Sequence, residues 1–259
     1  MWHEAKSYIQ FLWRSTNEHG IHSPFVFDLV MECFYDKSNY VEYRKLKAYR
    51  NSILQNKNKI EVTDFGAGSK IFRSNSRQIS QIARTAGISE KRAELLFRIT
   101  RYFQPENVLE IGTSLGLATS ALCLGNENAE IISLEGCPQT ASVAKEAFHS
   151  FEMMNSQIIV TEFQSYLKEV LQSNRKFDMI YFDGNHQKEA TLQYFDLLLS
   201  TINENTVWIF DDIHWSAEMS AAWAIIKKNP QVTVTIDTFQ WGFVFFRKCQ
   251  VREDFIIRI

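Results

Sequence analysis

From residue 105 onward, short apolar runs rich in β-branched and aromatic residues alternate with stretches of helical periodicity, and this alternation limits the fold more than any other feature. The runs lie at 107–111, 130–135, 157–161, 177–182, 206–210, 232–236 and 242–247. Helical patterns fill the gaps at 114–124, 138–151, 165–173, 187–201 and 216–228, with Ser216 placed to cap the last. Only "DTFQW" joins the final two strands, too short for a crossover helix, so those two pair antiparallel. The expectation is an α/β, Rossmann-like sheet of seven strands with an antiparallel last strand.

The preceding hundred residues read as helices near 3–15, 24–35, 40–54, 76–86 and 89–103. Ser23-Pro24 opens the second in the N-cap, N1 manner, Gly87 closes the fourth and Ser89 starts the fifth. The expected organisation is an N-terminal helical extension, 1–104, packed on an α/β core, 105–259. A chain of 259 residues can bury roughly 70–75% of its unfolded surface, so a true core is available.

Net charge −2, from 28 basic and 30 acidic residues, lacks the basic bias of a nucleic-acid binder. Cys33, Cys123, Cys137 and Cys249 have no C-x-x-C spacing, which fits reduced thiols rather than a disulfide frame or zinc site. The charged start "MWHEAKSYIQ" is unlike a signal peptide, and no run reaches the ~18 apolar residues of a membrane span. A soluble cytoplasmic protein is expected, with a small molecule as substrate and at most a second copy of itself as partner; neither nucleic acid nor membrane is expected.

Two glycine runs compete for function. "DFGAGSK", 64–70, misses both a Walker A loop and the helix a nucleotide loop needs, and reads as a tight turn. "VLEIGTSLG", 108–116, has the required context of a buried strand, a turn and a helix start. Its Gly112-Thr113-Ser114-Leu115-Gly116 also fits a hydrolase nucleophile elbow, with Asp183 and His214 to complete a triad, although no oxyanion loop is recognisable. A dinucleotide fingerprint would need glycines at 114 and 117, where Ser114 and Leu117 stand. A looser E-x-G-x-x-x-G loop, Glu110 to Gly116, suits a ligand without phosphate. The next strand ends in Glu135, at the interval where a carboxylate can accept both ribose hydroxyls.

On these residues the chain resembles class I S-adenosylmethionine (SAM)-dependent methyltransferases, and more narrowly the catechol/caffeoyl-CoA type O-methyltransferases, over about residues 89–247. "NEHGIHSPFVFDLV" near the N-terminus resembles a feature of bacterial homologues. The resemblance implies a SAM site of Glu110, Gly112, Thr113, Ser114, Gly116, Glu135, Gly136 and Asp183, with Glu162 and Phe163 at the adenine position in place of the usual G-D-A. It also implies a metal set, Asp183, Asp211 and Asp212, for Mg2+ or another divalent cation, drawn from "YFDGNH" and "IFDDIHW". His186 occupies the place of the family's lysine, so Asp183 and His186 are the catalytic candidates. His19 and His22 read as loop residues, and Trp215 and Trp241 as packing. The implied activity is methylation of a small-molecule oxygen. A regulatory SAM-binding protein without activity and a Ser114 hydrolase are the alternatives.

Overall fold

The computed structural model describes residues 2–63 and 74–259; the "DFGAGSK" run lies outside the described residues. In chain order the elements are α1 (Trp2–Arg14), α2 (Pro24–Leu29), α3 (Glu42–Gln55), β1 (Lys59–Glu61), β2 (Ser76–Gln78), α4 (Ile79–Thr85), α5 (Glu90–Phe103), β3 (Asn107–Ile111) and α6 (Leu117–Gly125). There follow β4 (Glu130–Glu135), α7 (Pro138–Ser150), β5 (Ser156–Val160), α8 (Phe163–Ser173), β6 (Met179–Phe182), α9 (Lys188–Leu198), β7 (Val207–Asp211), α10 (Ala217–Ile226), β8 (Val234–Asp237), β9 (Trp241–Phe245) and β10 (Glu253–Ile256). The serine caps form as their sequence positions require: the side chains of Ser23, Ser89 and Ser216 accept the backbone N–H of Val26, Arg92 and Met219.

The chain divides into two compact units, residues 1–31 with 164–259 and residues 32–163. Of the helices before residue 105, α1 and α2 fall in the first unit and α3, α4 and α5 in the second. In the 32–163 unit, β4 pairs parallel with both β3 and β5, from Asn107↔Glu130 to Ile111↔Leu134 on one side and Ile131↔Ser156 to Glu135↔Val160 on the other. A small antiparallel pair, β1–β2, stands apart from these. In the other unit β6 and β7 are parallel, and β9 runs antiparallel to both β7 and β8.

The fold class is α/β with a mostly parallel sheet, and among the described residues that sheet has eight strands rather than seven. The additional one, β10, pairs parallel with β8 from Glu253↔Val234 to Ile256↔Asp237. Its sequence, "EDFI", opens on two exposed acids and buries little beyond Phe255, so it lacks the continuous apolar run by which covered strands are read. β3, β4, β6, β7, β8 and β9 do show such runs, and almost every residue in them is buried.

Candidate functional site

In the 32–163 unit the site is built on the turn between β3 and α6. Gly112, Ser114 and Gly116 have φ values of +107°, +49° and +74°. A side chain at 116 would be strained by that φ, and its Cβ would meet Tyr49 Oη at 2.7 Å and the Phe148 ring at 2.8 Å. The turn is held from three directions. The N–H groups of Gly112 and Thr113 both donate to Leu134 O at 3.0 Å, at the end of β4. Tyr49, fully buried on α3, donates its hydroxyl to Leu115 O at 2.8 Å. The Ser114 N–H donates to Glu135 Oε2 at 2.7 Å, while the Cys137 N–H holds Glu135 Oε1 at 2.8 Å.

Glu135 is thus fixed by backbone at the end of β4, half-buried. A carboxylate offers about four acceptor positions, so these two bonds are compatible with two ribose hydroxyls. Gly136 follows it, half-buried, and Cys137-Pro138 opens α7.

Beneath the turn lies a second carboxyl. Glu110, within β3, has no solvent exposure. Its Oε2 accepts the hydroxyls of Thr119 and Ser133, each at 2.5 Å, and Ser133 in turn shares a 2.5 Å bond with Thr113 of the turn. Its Oε1 is buried with no partner. Burial pushes the Glu110 carboxyl up to about 7, reinforced by the charge of Glu135 and opposed by the Ser133 and Thr119 hydroxyls. The polar residues of this cluster are interleaved in apolar stretches, as Ser133 is in "EIISLE", and that is the only signal the sequence offers for it. Tyr49 gives none, because its partner lies 66 residues away. Glu162 is exposed and Phe163, half-buried, begins α8.

The other unit carries the remaining candidates on the loops after β6 and β7. Asp183 and His186 are half-buried, with Asp183 Oδ1 3.7 Å from His186 Nε2, too long for a hydrogen bond. Between them Asn185 takes φ +51°; its Nδ2 donates to Tyr194 Oη at 3.3 Å, and its Oδ1 is buried without a partner. The ring of Trp215 lies 6.1 Å, centroid to centroid, from that of His186. Trp241 is core, buried in β9.

Asp211 is buried at the end of β7. Its Oδ2 accepts the Tyr181 hydroxyl at 3.0 Å and its Oδ1 the N–H of Asp212 at 2.7 Å, where Asp212 has φ +55°. Among the described residues no three His, Cys, Asp or Glu side chains gather to hold a metal ion. The expected trio of Asp183, Asp211 and Asp212 therefore does not form a ready cation site. At Asp211 the oxygens are already engaged, one by the Tyr181 hydroxyl from the neighbouring strand β6 and one by the N–H of its own turn.

The hydrolase elbow fails at its base. His214 Nε2 pairs with Asp237 Oδ2 at 2.8 Å and Nδ1 with Ser220 Oγ at 3.2 Å, so both ring nitrogens are engaged away from Asp183. Ser114, for its part, sits in a turn whose N–H serves Glu135. His19 is exposed in a short 3-10 helix, Glu18–Gly20, and His22 is exposed in the loop that follows it.

With this geometry in place, comparison with known proteins is informative. Residues 109–213 match the family model described as a methyltransferase domain. No curated protein matches the sequence. Solved structures do match the fold. The Podospora anserina methyltransferase PaMTH1, bound to S-adenosylhomocysteine (SAH), is 14% identical with a TM-score of 0.60 over 88% of this chain and 97% of that one. An O-methyltransferase from Bacillus cereus in complex with SAH is 16% identical with a TM-score of 0.53 over 85% of this chain and 95% of that one. The O-methyltransferase TomG of Streptomyces achromogenes, involved in tomaymycin synthesis and bound to SAM, is 14% identical with a TM-score of 0.53 over 86% and 95%. Residues 109–213 therefore resemble a methyltransferase domain, and the chain shares the fold of these solved methyltransferases. No helix of the described residues is long and apolar enough to cross a membrane.

Proposed function

We propose that this protein is a SAM-dependent methyltransferase acting on an oxygen of a small-molecule acceptor. The observation that carries the reading is Glu135, whose two oxygens are pinned by the Ser114 and Cys137 N–H groups beside a left-handed glycine turn. A carboxylate so held accepts a ribose diol without having to be ordered at the moment of binding.

The residues fit the cofactor on a second count. The Oε1 of Glu110 is a buried polar atom without a partner, and the ammonium of a methionine end would supply a donor to it and favour the ionised carboxylate. Glu110, Gly112, Thr113, Ser114 and Gly116 would hold that end and Glu135 with Gly136 the ribose, while Glu162, Phe163 and Asp183 complete the cofactor set. When bound, SAM supplies a methyl group on a positively charged sulfur.

The protein's part in the chemistry is alignment and proton removal. A phenol of pKa near 10 costs about 4 kcal/mol to ionise at pH 7, so a base assists the attack of oxygen on carbon. His186 takes that role in this reading, with Asp183 beside it to stabilise the imidazolium and Trp215 as an aromatic wall for a planar acceptor. With SAM and acceptor bound, His186 would take the acceptor proton as the methyl group is transferred from sulfur to oxygen, leaving SAH. A divalent cation is the metal-assisted form of the same proposal, and it would require Asp211 to give up its bond from Tyr181.

Incubation with isotopically methyl-labelled SAM and a panel of phenols and catechols tests the function. Labelled ether product together with SAH is the expected result. Binding of SAH with no transfer to any acceptor would favour the regulatory alternative, whereas covalent capture of Ser114 by a fluorophosphonate, lost in Ser114→Ala, would establish the hydrolase.

A further inference from the structure

The N-terminal helix shows an apolar stripe that its own unit does not cover. On α1, Trp2, Ala5, Ile9 and Leu12 follow one another at intervals of 3, 4 and 3 residues, the a and d positions of a heptad, and Trp13 lies beside them. Trp2 and Trp13 are 94% and 92% exposed, Ile9 is 62% and Leu12 37% exposed. The opposite side of the helix is the one that is anchored. Phe11 is buried, the rings of Phe11 and Tyr8 lie 5.6 and 4.9 Å from that of Phe239, and His3 Nε2 shares a 3.0 Å hydrogen bond with Ser220 Oγ of α10. A helix tied down on one side presents its other side in a fixed orientation, and two tryptophans held in water call for an occupant.

We propose that this stripe pairs antiparallel with the same stripe of a second copy of the chain, about a two-fold axis. The pattern is self-complementary. Residues 2, 5, 9 and 12 are symmetric about position 7, so antiparallel pairing sets Trp2 opposite Leu12 and Ala5 opposite Ile9, a large side chain against a smaller one at each layer. That is the a-against-d packing of an antiparallel coiled coil, and an isologous contact requires such symmetry.

The area agrees. The exposed parts of Trp2, Ile9, Leu12 and Trp13 amount to roughly 600 Å², about three quarters of the ~800 Å² that each partner contributes to a stable interface. The charge argues against a bilayer as occupant. Glu4 offsets one of Lys6 and Arg14, and the whole chain is −2, which gives little attraction to anionic lipid.

Sedimentation velocity on the full chain, with and without vesicles of mixed neutral and anionic lipid, tests the pairing. The wild type is expected at twice its 30.2 kDa mass. Ile9→Glu and the double variant Trp2→Ser/Trp13→Ser are each expected to raise the dimer dissociation constant at least ~30-fold, while the thermal midpoint at concentrations where the wild type is also monomeric stays in place, because these side chains face outward. Ala5→Cys/Ile9→Cys, in a Cys249→Ser background, should oxidise to a covalent dimer that Ala5→Cys alone does not give. A wild type monomeric up to about 100 µM, a dimer indifferent to Ile9→Glu, cross-linking by Ala5→Cys alone, or a monomer that sediments with vesicles would each overturn it.

Discussion

The turn after β3 and the loops after β6 and β7 are alike in position, each leaving the carboxyl end of a sheet strand, and unlike in how they are held. Around Gly112–Gly116 nearly every polar group has a close partner: Glu135 is gripped by two N–H groups, Thr113 by Ser133, and the Leu115 carbonyl by Tyr49. In the other unit Asp183 Oδ1 and His186 Nε2 stand 3.7 Å apart, with both side chains half-buried. Under the proposed function the difference separates two tasks. A site that recognises an invariant cofactor gains from being preformed, since ordering costs are met on folding. A catalytic pair tightens only when its substrate arrives, and long contacts in the free enzyme are usual.

Substitutions should break this contrast in graded ways. The largest expected effect is on turnover. Asp183→Ala or His186→Gln should lower kcat by roughly 10²–10⁴-fold, with SAH affinity little changed for His186→Gln; a loss confined to affinity would move these residues out of the catalytic role.

Next comes Glu110. Its folded pKa, about 7, lies above the ordinary value of 4.5. The stability it contributes is therefore complete below about 4.5 and is lost as pH rises through about 7, a change of about 3 kcal/mol. Urea unfolding at pH 5 and pH 8 should show this fall in the wild type and not in Glu110→Gln. Equal pH dependence in both proteins would mean that Glu110 is already ionised in its buried place.

A smaller loss is expected at the turn itself. Gly116→Ala should cost roughly 1–3 kcal/mol of stability, from its positive φ and the clash with Tyr49 and Phe148. Tyr49→Phe, which removes only the bond to Leu115, should cost about 1 kcal/mol. The smallest effect sharpens the contrast by its absence: excess EDTA should leave turnover unchanged. Loss of activity restored by Mg2+ would reinstate Asp183, Asp211 and Asp212 as ligands.

How much of this could be read in the sequence depended on the distance over which each feature is encoded. Strands covered on both faces are written as unbroken apolar runs, so β3 through β9 were legible, and serine caps are encoded within four residues. β10 escaped because its pairing with β8 rests on backbone bonds, one buried Phe255 and a Thr235–Asp254 hydrogen bond, none of which is written as an apolar run. Glu135 was legible because strand, turn and helix fix its interval from Gly112.

The supports of the site were not. Nothing local to Tyr49 announces Leu115, and the His3–Ser220–His214–Asp237 chain joins residues more than 200 positions apart. His214 shows the consequence. By order along the chain it could complete a triad with Ser114 and Asp183, yet its ring is spent on Ser220 and Asp237. The metal trio is a related case: no cation cluster gathers among the described residues, and adjacency of Asp211 and Asp212 says nothing about Tyr181, on β6, bonding to one of the carboxylates.

Calorimetric titration of SAH into the wild type and Glu135→Ala tests the preformed cofactor site most directly. Binding in the micromolar range is expected, weakened at least about 30-fold in the variant by loss of a charged hydrogen-bonding group. Absence of binding to the wild type, or equal affinity in the two proteins, would contradict it.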